Sequence, residues 1–216
     1  MVKKNPTVFI VLFLVLARFP FGPSDASAQM VVDLNLEQMT ALSDQVFTGK
    51  CAKISKSTDS SWHSIQEVTF DVEEVLKGDP VPTVTFKQLV SGAKEIRGTQ
   101  GERVVVQGLF HELPTYRVGE ESIIFLSAAD PGSGLTAPIG LAQGKFKVTN
   151  SSQGKLVVNG HNNKALFPSY STQKNTLLQT LSLSSSESLL LDTTQGELPY
   201  TAFASMVKKL AEAQSN

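Results

Sequence analysis

The chain is poor in the residues that usually announce a reactive site: its 216 residues include one cysteine, one tryptophan and three histidines. A single cysteine, Cys51, excludes any disulfide within the chain, so the domain must be held by its core. A chain of this size can bury enough surface for that. His63, His111 and His161 lie far apart and match no metal-ligand spacing such as H-E-x-x-H or paired Cys/His. An excess of one charge is lacking as well, with 19 basic and 20 acidic residues. That balance omits the basic footprint of a phosphate-backbone binder, so nucleic acid is not an expected partner. No dense basic cluster marks a membrane surface, and no nucleophile motif such as G-x-S-x-G or phosphate-cradling glycine loop occurs. The composition therefore predicts no catalytic, cofactor-binding or metal-ligating residues.

The longest apolar run is Val8–Ala17, preceded by Lys3 and Lys4 and followed by Pro20, Gly22, Pro23 and an A-x-A site at Ala26-Ser27-Ala28. This is the three-part pattern of a cleavable secretory leader. The rival reading is an uncleaved membrane anchor, which needs about 20 apolar residues; Arg18 interrupts the run well short of that. Cleavage after Ala28 is expected, giving a mature chain from Gln29. It removes three basic residues (Lys3, Lys4, Arg18) and one acidic residue (Asp25), leaving a net charge of −3. No cysteine stands at the cleavage point to accept lipid, and no second hydrophobic span follows. The expectation is a periplasmic or extracellular product without stable membrane insertion after cleavage.

Beyond the leader the pattern predicts a mainly β domain over 29–159, an irregular polar segment over 160–195, and a C-terminal helix within 196–216 that packs on the domain. Residues 33–43 read as a short helix, with Asn35 and Gln38 in capping-box positions and Leu36, Met39 and Leu42 on one face. From Val46 the period becomes two. Val46–Ile54 is a first strand, with Gly49 at a bulge or close-packing point. Ile65–Leu76 is the clearest half-buried strand: Val68, Phe70, Val72 and Leu76 are expected on one face, and Glu67, Thr69, Asp71 and Glu73 on the other. Further strands are expected at Pro82–Val90 with Val84 and Phe86 inward, at Arg103–Phe110, and at Glu121–Ala128. The last is apolar enough to lie centrally. Leu141–Thr149 and Lys155–Asn159 form a hairpin around Asn150–Gly154. The tail 160–195 is rich in Ser, Asn and Thr and reads as irregular or tether-like. Residues 200–213 form an amphipathic helix with Phe203, Met206, Val207 and Leu210 on one face, and Pro199 stands at its start.

Few side chains offer chemistry. Cys51, within VFTGKCAKI, has three readings: a buried small apolar residue, a nucleophile, or an intermolecular disulfide partner. The apolar strand around it favours the first. Glu67, Asp71, Glu73 and Glu74 form an acidic strand face that reads as solvated or as a cation site. His111-Glu112 invites a general-base reading without a neighbouring nucleophile. Gly160-His161-Asn162-Asn163 is a turn-former, and Asn150-Ser151-Ser152 is a glycosylation sequon only in a eukaryotic secretory host. The candidate partner-binding residues are Trp62 and His63, an aromatic pair in a polar loop, and Lys94 and Arg97. These two lie in SGAKEIRGTQGE, which reads either as a mobile binding loop or as a solvated hairpin excursion.

The segments SDQVFTGKCAKI, VTFDVEEVLKGDP, YRVGEESIIFLS and GLAQGKFKV, in that order over residues 43–149, resemble a group of bacterial exported proteins of unassigned function. The same order is similar to the OB-fold module of tissue inhibitors of metalloproteinases and netrin-like domains. The resemblance implies a small OB-like barrel or sandwich of mostly antiparallel strands that presents binding loops. It does not imply zinc chelation, because those inhibitors use an N-terminal cysteine and disulfides, whereas the expected mature chain starts at Gln29 and has only Cys51.

These readings converge on an exported, non-enzymatic module that binds another macromolecule, a protein, with no cofactor. An envelope hydrolase is the alternative. Its site would be assembled from Cys51, His111, Glu112 and the acidic strand face converging in space. A self-assembling surface component is the third.

Overall fold

The computed structural model describes residues 32–58, 64–90, 93–97, 103–107, 113–167 and 180–215. The leader and its cleavage site lie outside the described residues. Among those residues no helix is long and apolar enough to cross a membrane.

Asn35 starts the first element as its sequence pattern requires. Its side chain accepts the Gln38 N–H at 2.8 Å and the Gln38 side chain accepts the Asn35 N–H at 3.0 Å, the reciprocal pair that caps helix α1 (Leu36–Leu42). Lys77 closes the other end, with Nζ donating to the carbonyls of Thr40 and Ser43 at 2.7 Å each. These bonds meet the Thr40 carbonyl of the last turn and that of the C-cap residue Ser43. α1 buries Leu36 and Met39 and exposes Leu42.

The chain then forms β1 (Gln45–Thr58), β2 (Ser64–Lys77), β3 (Thr83–Leu89), β4 (Ala93–Arg97), β5 (Arg103–Gln107), β6 (Glu121–Leu126), β7 (Lys145–Ser151), β8 (Gly154–Asn159) and a two-residue β9 (Leu198–Pro199). Seven of them make one antiparallel sheet in the order β3-β2-β1-β6-β7-β8-β9, and β4 and β5 pair separately. The protein is mainly β, and the large sheet is open, not closed into a barrel. Residues 135–138 make two isolated bridges, Lys87 with Leu135 in parallel and Leu126 with Pro138 in antiparallel sense.

Bulges decide which residues face which way. Gly49 sits at a register shift between β1 and β2, where a Cβ would lie 2.4 Å from the Asp71 carbonyl oxygen. Only glycine allows the two backbones so close. Glu73 and Leu76 are skipped in the pairing, since Thr48 faces Glu74 while Gly49 faces Val72, and Val46 faces Lys77 while Phe47 faces Val75. The skip at Glu73 reverses the alternation ahead of Leu76. Leu76 therefore lies on the opposite face from Val68, Phe70 and Val72, which corrects the simple period-two reading of that strand.

The two sheet faces carry separate cores. On one, Phe47, Cys51, Val68, Phe70, Val84, Phe86 and Ile124 pack with Tyr116, whose ring lies 5.8 Å from Phe70 and 5.7 Å from Phe86. On the other, Val46, Ile123, Phe125, Phe146, Val148 and Val157 meet helix α3 (Tyr200–Ser215) through Phe203, Met206, Val207 and Leu210. β6 lies between β1 and β7 and is buried from Ser122 through Leu126, the placement its apolar run predicts.

One segment takes one of its two sequence readings and another departs from its own. Ala93–Arg97 is a strand paired with Arg103–Gln107, so this stretch is the hairpin excursion, not a structureless loop. The segment read as irregular, 160–195, places Leu166, Phe167, Leu181, Leu190 and Leu191 in the core. It also carries helix α2 (Ser185–Leu190), started by a Ser184–Glu187 capping box. Its serines cap and turn the chain while isolated leucines do the burying, a division that average composition conceals.

Candidate functional site

Residues 113–121 cross the first core as a strap before entering β6. Gln88, buried on β3, donates from its amide to the Pro114 carbonyl at 3.1 Å and accepts the Tyr116 hydroxyl at 3.2 Å. Burial, then the nearby Cys51 and Glu120, push the Tyr116 phenol far above its ordinary pKa. Lys145 holds the strap from the other side. It donates to the Thr115 carbonyl, forms an ion pair with Glu120, and lies 4.8 Å from the Tyr116 ring centre.

This anchoring fixes the turn at Arg117–Glu120, which bonds back to β1. Gly119 N–H donates to the Cys51 carbonyl at 2.8 Å, and Cys51 N–H donates to the Glu120 backbone carbonyl at 2.9 Å. A depression lies on each side of the turn. One, of about 430 Å³, is lined by Thr115, Arg117, Glu120, Lys145, Lys147 and Val158 among others; the second, of about 510 Å³, by Lys50, Arg117, Glu120, Glu121, Lys147 and Asn150 among others. Arg117, Glu120 and Lys147 line both.

The carboxylates on this surface are already partnered. Glu120 pairs with Lys145, and Glu121 pairs with Lys155 at 2.6 Å. The Glu121 hydrogen bond holds the Lys155 ammonium above its usual range. Lys50, Arg117 and Lys147 make no ion pair among the described residues. The result is a cationic surface with Val118, 65% exposed, at the tip of the turn. It is suited to holding an anionic, solvent-facing group.

Trp62 and His63 lie outside the described residues, as do His111 and Glu112. Lys94 and Arg97 are on β4, opposite Val106 and Arg103. Cys51 is 1% exposed, its thiol pushed up by burial and further by Glu120; it sits in the first core, not in a depression. On β2, Asp71, Glu73 and Glu74 are exposed, and Glu74 pairs with Lys208 of α3. Among the described residues, no three His, Cys, Asp or Glu side chains are grouped to hold a metal ion.

Sequence reasoning did not single out Lys50, Arg117 or Lys147. The available signal was the alternation K-F-K-V in β7, which puts Lys145 and Lys147 on one face, followed downstream of Y-R-V-G. Nothing in that pattern says that Glu120 neutralises Lys145 and leaves Lys147. Comparison with protein-family models, curated proteins and solved structures yields no match.

Proposed function

We propose that this is an exported, non-enzymatic binding module that takes a protein partner on the cationic surface around Arg117. The observation that carries the reading is the set Lys50, Arg117 and Lys147, three cations without ion-pair partners among the described residues around two adjoining depressions. Structural lysines nearby find carboxylates, so cations around an anchored turn that make no ion pair among the described residues are available to a ligand. The leader pattern supports export. The bridges of residues 135–138 to β3 and β6 support reading the β1–β3 and β6 half as a rudimentary OB-like barrel, an architecture whose loops and strand faces commonly bind ligands.

The test is affinity capture from the source's envelope fraction and culture medium with residues 29–216, beside a variant carrying Arg117→Glu and Lys147→Glu. One protein enriched on the first bait and at least tenfold depleted on the second is expected. Hydrolase activity in the purified mature chain, with no partner sensitive to the two substitutions, would overturn the reading.

A further inference from the structure

We infer that the depression beside β7 is a strand-addition site for an extended, acidic segment of a partner protein; this rests on the reading of the Arg117 surface as a binding surface. The sheet is incomplete there. β6 pairs with β7 only from Ser122–Lys147 to Ile124–Lys145, whereas β7 stays paired with β8 as far as Ser151. The strap supplies the reason. Its turn at Arg117–Glu120 bonds to Cys51 on β1, so the chain entering β6 stays with β1 and leaves the second half of β7 to β8 alone.

The hydrogen-bond parity of the hairpin shows where the open edge points. Ser151 faces Gly154 across a two-residue turn, which makes them a hydrogen-bonded pair. Bonding alternates along an antiparallel ladder, so Asn150 directs its N–H and C=O away from β8. On that side lies the 510 Å³ depression, lined by Lys50, Arg117, Lys147, Val148 and Asn150 among others. By the same parity Thr149 and Ser151 bond β8, so Val148 and Asn150 are the residues that direct backbone groups to this side, and an added strand would be anchored there. Such an edge is a template for another chain.

The other edges of the large sheet are less suited. At β3, the Lys87 carbonyl accepts the Thr136 N–H at 2.8 Å and the strand bridges to Leu135, while β9 has two residues. Charge selects the occupant at β7. With Glu120 held by Lys145, Arg117 and Lys147 favour aspartate or glutamate side chains on the face of an added strand that meets them.

The mature chain is titrated with labelled twelve-residue peptides. One alternates Glu and Val; a second replaces Glu with Gln; two more carry the acidic sequence N-methylated along one strand edge or the other. The acidic peptide should bind and shift the Asn150 amide resonance, and the Gln peptide should bind at least tenfold more weakly. Methylation of one edge should abolish binding while methylation of the other leaves it intact. Arg117→Glu with Lys147→Glu should weaken the acidic peptide at least tenfold in a chain whose thermal melt remains cooperative. Indifference to methylation on both edges overturns strand addition, as does failure of the acidic peptide to bind. If capture through Arg117 and Lys147 still succeeds in either case, the binding-surface reading stands without it. A wild-type chain that dimerises through this edge in light scattering and amide-exchange measurements would make a second copy the occupant, which also overturns the proposal.

Discussion

Cys51 illustrates how one side chain can be chemically silent in a chain that has no other thiol. At 1% exposure it sits in the core of Phe47, Phe70 and Ile124, and its thiol donates to the Lys53 carbonyl at 4.0 Å. Reaction with electrophiles requires the thiolate, and burial together with the Glu120 carboxylate disfavours that form. Native protein at pH 8 should therefore react with an aromatic disulfide reagent at least a hundredfold more slowly than protein in 6 M guanidinium. Labelling at the same rate in both would place Cys51 on an accessible path. The apolar setting of this residue was legible from VFTGKCAKI. Its neighbour Glu120 was not, because it arrives from a strap nearly seventy positions away in the chain.

At the scale of elements, α2 shows how a short helix is held where propensity alone would fail. Glu187, 2% exposed on α2, accepts from the Ser184 N–H at 2.6 Å, from Ser205 at 2.6 Å and from Lys209 at 2.7 Å, the last two on α3. Burial works to raise its pKa, but the hydrogen bonds from Lys209, Ser205 and Ser184 outweigh that and leave it lowered from 4.5 to about 2. A carboxylate depressed on folding contributes stability that is complete above its unfolded value and is lost as pH falls toward its folded one. The melting temperature of the wild-type chain should thus drop between pH 4.5 and pH 2, and Glu187→Gln should flatten the profile in that window. At pH 7 the substitution should cost about 1–3 kcal/mol, the range for a lost charge-assisted, buried hydrogen-bond acceptor. An unchanged pH profile in equilibrium denaturation would show that α2 is not held by this carboxylate. The capping box Ser184–Glu187 was present in the sequence within a serine-rich stretch whose average polarity read as irregular.

For the described residues as a whole, one seven-stranded sheet separates two cores, and α3 covers the second. Phe203 is fully buried, with its ring 4.7 Å from Phe146 and 6.4 Å from Phe125. Phe203→Ala should destabilise the protein by about 3–5 kcal/mol, read as a lower denaturation midpoint in urea; a change below 1 kcal/mol would mean that the helix packs weakly on the sheet. The face of α3 was recognisable from its 3.6-residue spacing. Its target was not, because β6, β7 and α3 are brought together only by the sheet order.

The sequence by itself determined the local matters: where strands alternate, where Asn35 caps a helix, which face of α3 is apolar, and that no disulfide can hold the fold. These depend on side chains a few residues apart, whose periodicity and capping chemistry are written in order along the chain. The tertiary structure decided what depends on register and distance. The bulge at Glu73 reversed the face of Leu76, the 135–138 segment bridged two strands while the sheet stayed open, and the strap drew Glu120 to Lys145, leaving Lys147 without an ion pair among the described residues. A one-residue shift in pairing exchanges the two faces of a strand, and a neutralising partner can stand 25 positions away. The cationic surface around Arg117 therefore exists only in three dimensions.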